Sequence, residues 1–209
     1  MRFFPAFIRS VRLLAEEFFS LLIVGIVGGA LMLSFVAIPF VLGGYAAMAD
    51  DLSERRPISL GYWWAGARAM ARRAYLWAAL NLVGWLLLLL ALNVYGQVDG
   101  IGRALQGTVL VMSYLWYVVL LYYLPLARLR PEDEWRETLR RSALLLLTTP
   151  FDTLFLMLVL GMLAVPLLLT NPILMLFHPL FAILFATVLV RVHLGLSAAV
   201  EEEDLADKG

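Results

Sequence analysis

Asp152 is the only acidic residue inside a long apolar run of this 209-residue chain, and an ionisable group in such a run is the usual mark of a proton or cation relay. It also stands where a helix would begin. Thr149-Pro150-Phe151-Asp152 has the form of a capping box: Thr149 at the N-cap, Pro150 at the first helical position, and Asp152 at the third, answering free amides and the positive helix end. A helix begun at Pro150 completes a span of about 20 residues near Leu169, which leaves Asp152 at the membrane edge and favours capping over a relay. Arg191 and His193 close the last apolar run, where a long cation snorkels to the headgroups, so anchoring is their expected role. His178, beside Pro179 at the other end of that run, can titrate or donate across helices, but it has no neighbouring histidine or carboxylate with which to hold a metal. Asn81 and Asn93 are expected to hydrogen-bond between helices.

The chain has no cysteine, which removes thiolate nucleophiles and thiolate metal sites. It also lacks a phosphate-cradling glycine loop, a His-Glu-x-x-His pair and a nucleophile elbow. No catalytic, cofactor or metal residue is therefore expected, and an enzyme is the least favoured reading. A formal net charge of zero argues against nucleic acid as a partner.

The elements that must carry these residues belong in a lipid bilayer. With 63% hydrophobic residues, 15% charged and a mean hydropathy of +0.88, the chain is too apolar for a water-soluble domain of its length. Alternation of period two is absent, so a polytopic all-α membrane protein is predicted rather than a barrel. Apolar stretches cover 18–49, 74–95, 104–127, 150–169 and 173–194. Arginines cluster in the linkers 50–73 and 128–149, while 96–103 carries only Arg103 and 170–172 has none. The positive-inside rule then puts the two rich linkers and the C-terminal end in the cytoplasm. The acidic tail 195–209 would lie there too.

The first stretch is too long for one crossing, at 32 residues from Phe18 to Ala49, and Pro39 with Gly43-Gly44 interrupts it. A helix near 18–36, a break around 37–39 and a short helix toward Asp51 are predicted. The second piece either completes a crossing or forms a re-entrant arm, and a single tilted crossing with the N-terminus outside is the alternative. Five or six membrane segments result. Setting Arg56-Pro57 over Arg130-Pro131 suggests two related halves, about 18–95 and 104–169, followed by a last span at 173–194. Each arginine-rich linker is predicted to hold a cytoplasmic interfacial helix: 58–73, with Leu60, Trp63, Trp64, Ala67, Met70 and Ala71 on one face, and 132–148, with Trp135 and Leu139. Gly25-x-x-x-Gly29 and Ala30-x-x-x-Ser34 permit close helix approach.

An ordered set of features resembles the YesL-like family of small bacterial membrane proteins. It comprises the proline-broken first stretch, Gly-Gly-Tyr-Ala-Ala at 43–47, Tyr62-Trp63-Trp64, Tyr123-Leu124-Pro125-Leu126, and the run from Ser142 through Thr149-Pro150-Phe151-Asp152 to Leu154. The resemblance implies a helical protein of the bacterial plasma membrane, often encoded beside sugar importers, and it carries over no catalytic residue. Beyond the bilayer itself, the expected partner is another membrane protein such as a transporter permease, with the chain acting as an accessory to transport and the resemblance pointing to carbohydrate import. The competing expectation is a small transporter or channel, which the possible duplication and the broken helix would suit.

Overall fold

The computed structural model describes residues 3–98, 101–170 and 177–196, and every element among them is helical. In chain order these are α1 (Phe3–Glu16), α2 (Phe18–Met32), a single 3-10 turn (Phe35–Ala37), α3 (Ile38–Ser53), α4 (Leu60–Gly96), α5 (Gly102–Leu129), α6 (Trp135–Thr148), α7 (Pro150–Thr170) and α8 (His178–His193). The first apolar stretch is broken as its length requires. α2 ends at Met32, and α3 restarts with Pro39 in its first turn, where a missing N–H costs nothing. α1 was not anticipated as an element. Its buried positions Ala6, Ser10 and Leu13 follow helical spacing, and it meets α2 at 87°.

Among the described residues, three helices are long and apolar enough to cross a membrane: Phe35–Ser53, Leu60–Gly96 and Gly102–Leu129. The count rises to five if each bent pair is one span, these being Ala6–Glu16 with Phe18–Met32, and Trp135–Thr148 with Pro150–Leu163 at 95°. One expectation changes here. The predicted interfacial helix 58–73 is not separate from the next span, because Arg72-Arg73-Ala74-Tyr75 contains no helix breaker and α4 runs unbroken for 37 residues, about 55 Å. The last apolar stretch yields an α8 of only 16 residues, about 24 Å, buried from Leu180 to Arg191 apart from Phe181. A helix apolar on all sides and enclosed by protein suits either a core element or an inner membrane span. The expected turn at 170–172, the start of the last span and the acidic tail from 197 onward lie outside the described residues.

The core is built on α3 and α8, with α1, α4, α5 and α7 around them. α3 and α4 pack backbone to backbone. A Cβ on Gly43 would stand 3.1 Å from Met70 and Ala74, one on Gly44 3.0 Å from Ala67, and one on Gly66 2.6 Å from Ala47. Trp63, Ala67 and Met70, expected to face the interface, are buried by this contact, while Leu60 and Trp64 stay exposed.

Beyond Ala74 the architecture changes. From Tyr75 to Val98 no residue is buried, and α4 and α5 pack against each other as a two-helix coiled coil. Half-buried Trp77, Asn81, Gly84, Leu88, Ala91 and Tyr95 repeat at spacings of four and three, facing Gly102, Gln106, Val109, Ser113, Trp116 and Leu120 at the same spacings. That is the four-three spacing of a heptad seam. Trp116 fills the space over Gly84, where a Cβ would come within 2.4 Å of the indole nitrogen, and Trp77 Nε1 donates to the Leu120 carbonyl at 2.8 Å. The outward faces are apolar and bare, with Leu82, Leu86, Leu87, Leu90, Leu110 and Val111 all more than half exposed.

Candidate functional site: an ionic cluster at three helix ends

The C-termini of α3, α5 and α8 converge at one end of the molecule, and each brings unpaired carbonyls and the negative end of its dipole. Two of them finish in Schellman turns. Arg56 N–H donates to the Asp51 carbonyl at 2.9 Å and Arg55 N–H to Leu52 at 3.0 Å, while Leu196 N–H donates to Arg191 at 3.0 Å and Gly195 N–H to Val192 at 3.3 Å. The left-handed residue after α8 is Gly195, but after α3 it is Arg55 (φ 56°), a conformation that disfavours a side chain. This turn lifts Glu54 and Arg56 back over Asp50 and Asp51.

Arg191, with a side chain only 6% exposed, donates from Nη1 to Asp50 Oδ1 and from Nη2 to Glu54 Oε1 at 2.8 Å. Arg128 of α5 takes the other Asp50 oxygen through Nε at 3.0 Å and reaches Asp51 with Nη2 at 3.2 Å. Arg56 closes the ring on Asp51 at 3.4 Å and Glu54 at 2.6 Å. From α1, Arg9 Nη2 donates to the Ser53 carbonyl at 3.0 Å. Three carboxylates thus meet three guanidiniums, and Asp50 accepts from two of them, the fork geometry that arginine supplies and lysine does not. Burial pushes the Glu54 carboxyl up, but the Arg191 hydrogen bond and the charges of Arg191, Arg56 and Arg128 outweigh it and hold the group below the usual carboxylate range.

A second junction lies alongside. Asp152, in the first turn of α7, is buried and accepts from His193 Nε2 at 3.1 Å, while His193 Nδ1 faces the Leu189 carbonyl at 2.8 Å. The neighbouring Thr153 hydroxyl pairs with Tyr122 at 2.9 Å, tying α7 to α5. The Thr149 hydroxyl donates back to the Leu145 carbonyl of α6 at 2.7 Å.

On the opposite side of α5, Arg73 of α4 donates to the carbonyls of Ala127, Arg130, Pro131 and Asp133, with 3.2 Å to Arg130 and to Asp133. One guanidinium therefore caps a helix end in trans and covers the turn that leads into α6.

The sequence candidates fare differently. Asp152 and His193 come together, and Arg191 is an internal ion-pair partner instead of a snorkelling anchor, because α3 supplies carboxylates before its chain can reach a headgroup. His178 Nε2 meets the Leu160 carbonyl at 3.1 Å, which fixes the start of α8 to the middle of α7. Asn81 turns its amide onto its own helix, donating to Trp77 at 3.1 Å, and does not bridge helices. Asp50, Asp51, Glu54, Arg73 and Arg128 were not singled out. Their signal in the sequence was weak: basic residues in the last turns of α5 and α8 and an acidic end to the first stretch. Among the described residues, no three His, Asp or Glu side chains are grouped to hold a metal ion. No protein-family model matches the chain, no curated protein is similar to it, and no solved structure matches its fold.

Proposed function

We propose that this chain is a multi-pass plasma-membrane accessory protein that docks against another membrane protein, such as a transporter permease, and processes no substrate of its own. The observation that carries this reading is the α4–α5 coiled coil. Its seam is complete, its outward faces are apolar along about 28 Å, and it carries no reactive group. The ionic cluster supports the same reading as a rigid base, since it fixes the ends of α3, α5 and α8 relative to one another. Carbohydrate import is the transport system suggested by the YesL-like resemblance, which rests on the ordered residues alone. In this reading the arginine-rich end is cytoplasmic, and α6 lies along the interface, bent by 95° from α7.

A small transporter is the competing function, and the buried polar groups weigh against it. Among the described residues, Ser10, Ser113, Ser142 and Thr187 each donate to the carbonyl four residues earlier in their own helices, so these four buried hydroxyls are spent within their helices. The test is purification from the native membrane in mild detergent, paired with reconstitution of the chain alone. A stoichiometric complex with a permease and no solute flux by the isolated protein is expected. Sugar flux through liposomes holding only this chain would overturn the proposal in favour of the transporter.

A further inference from the structure

The apolar lengths of α4 and α5 begin at one shared level. On α4 no charge follows Arg73 through Gly96, and on α5 none lies between Arg103 and Arg128. Arg73 donates to the carbonyl of Ala127, the neighbour of Arg128, so the charged borders of the two helices stand side by side. From Leu76 to Gly96 the 21 residues of α4 rise about 32 Å, which fits a hydrocarbon core of ~30 Å with its near edge at Arg73.

α3 is apolar enough to cross, yet it does not stand beside that length. It packs on the arginine-bearing half of α4: Gly44 on Trp63 and Ala67, Ala47 on Gly66, and Gly43 on Met70 and Ala74. Its start is held at the border, where the Tyr75 hydroxyl donates to the Val36 carbonyl at 2.9 Å. Its end lies in the ionic cluster, and Arg9 of α1 donates there to the Ser53 carbonyl at 3.0 Å, tying the helix that leads into 18–53 to the helix end that leaves it. α2 and α3, with 15 and 16 residues or about 22 and 24 Å, are each short of a crossing. The turn between them is apolar and bare, with Leu33, Phe35 and Val36 exposed by 74%, 85% and 74%. Backbone tolerates hydrocarbon where its polar groups are partnered. Here Ser34 N–H donates to the Leu31 carbonyl at 3.0 Å, Ala37 N–H to Ser34 at 2.9 Å, and Tyr75 covers Val36.

The geometry points to a re-entrant arm: the stretch 18–53 enters the cytoplasmic leaflet, seats Leu33, Phe35 and Val36 among its acyl chains beside Tyr75, and returns without crossing. The arm rests on the proposed orientation, with the arginine-rich end in the cytoplasm, and not on the docking role; sites at Ser59 and Gln97 report that orientation independently of the turn.

Because the chain has no cysteine, Ser34→Cys is a single-site probe at the exposed turn. In intact cells and inverted vesicles, an impermeant maleimide is expected to label it from neither side and to label it once the membrane is dissolved, whereas Gln97→Cys reacts from one side and Ser59→Cys from the other. In liposomes holding the full chain, a nitroxide at Ser34→Cys is expected to collide with dissolved oxygen and to meet an aqueous nickel chelate several-fold less than one at Ser59→Cys. Val36→Cys, on the same turn, takes its place if Ser34→Cys does not fold, with the same results expected. Labelling of the turn from the Gln97 side would show a crossing, and labelling from the Ser59 side, or nickel access equal to that at Ser59→Cys, would put the turn in water; each overturns the proposal.

Discussion

Replacing Arg191 with leucine removes the innermost cation of the ionic cluster and strands what it neutralised. Asp50, with a side chain 10% exposed, would keep Arg128 at 3.0 Å, and Glu54 would keep Arg56 at 2.6 Å. Breaking a buried pair by removing one partner costs about 3–5 kcal/mol, and the surviving partners place this case at the low end, near 3 kcal/mol. For a chain of this size that corresponds to a fall of about 6–12 °C in melting temperature. The assay is thermal unfolding of the detergent-solubilised protein, followed by the fraction remaining monodisperse. The double variant Asp50→Leu with Arg191→Leu removes both charges and leaves Arg128 with Asp51, so it should be no less stable than Arg191→Leu alone. An Arg191 that merely reached for headgroups would tolerate leucine with little loss. A single variant melting within about 2 °C of the native chain, or a double variant whose loss equals the sum of the two singles, would refute the reasoning.

Cysteines at Ser59 and Ser142 should react with an impermeant reagent only from the cytoplasmic side and one at Gln97 only from outside, and external labelling of Ser59→Cys in intact cells would invert the topology. Gly84→Ala places a Cβ within 2.4 Å of Trp116 and should cost about 1–3 kcal/mol in a thermal melt, whereas an unchanged melt would mean that the seam is looser than described. Arg73→Met should cost about 2 kcal/mol and speed amide exchange at residues 127–130, because four carbonyls lose a charged donor; unchanged exchange there would show that the helix end is held some other way. Asp152→Asn keeps an acceptor for His193 and should lower folded yield less than Asp152→Leu, which forfeits the histidine contact at a cost of about 1 kcal/mol. Equal loss of yield in both would argue against that assignment.

A break in the first stretch was legible in the sequence because a length limit and a residue without an N–H act locally, although α2 ends at Met32, earlier than the predicted 37–39, and Pro39 falls in the first turn of α3. The α4 face carrying Trp63, Ala67 and Met70 was legible as a face, but periodicity does not say what covers it. The cover is the glycine surface of α3 rather than lipid. The length of α4 was misjudged where composition changes from basic to apolar at residue 74, since a change of solvent does not end a helix that contains no breaker. The coiled coil was hidden by its own setting. In a run as apolar as 74–95, the seam residues Trp77, Asn81, Gly84, Leu88, Ala91 and Tyr95 do not stand out from the outer faces by any regular alternation of apolar and polar types. The ionic cluster was the least accessible, because Asp50 and Arg191 stand 141 positions apart and only packing of α3 against α8 brings them together. Read separately, each looked like the charged edge of a span.

The most direct test of the accessory role places a photo-reactive residue at Leu90, on the bare face of the coiled coil, and another at Leu88, on the seam against α5. After illumination of native membranes, the Leu90 position is expected to yield one discrete adduct whose mass is that of this chain plus a transporter permease, and the Leu88 position none. Lipid adducts alone from Leu90, in membranes where the transport system is expressed, would contradict a docking role for the hairpin.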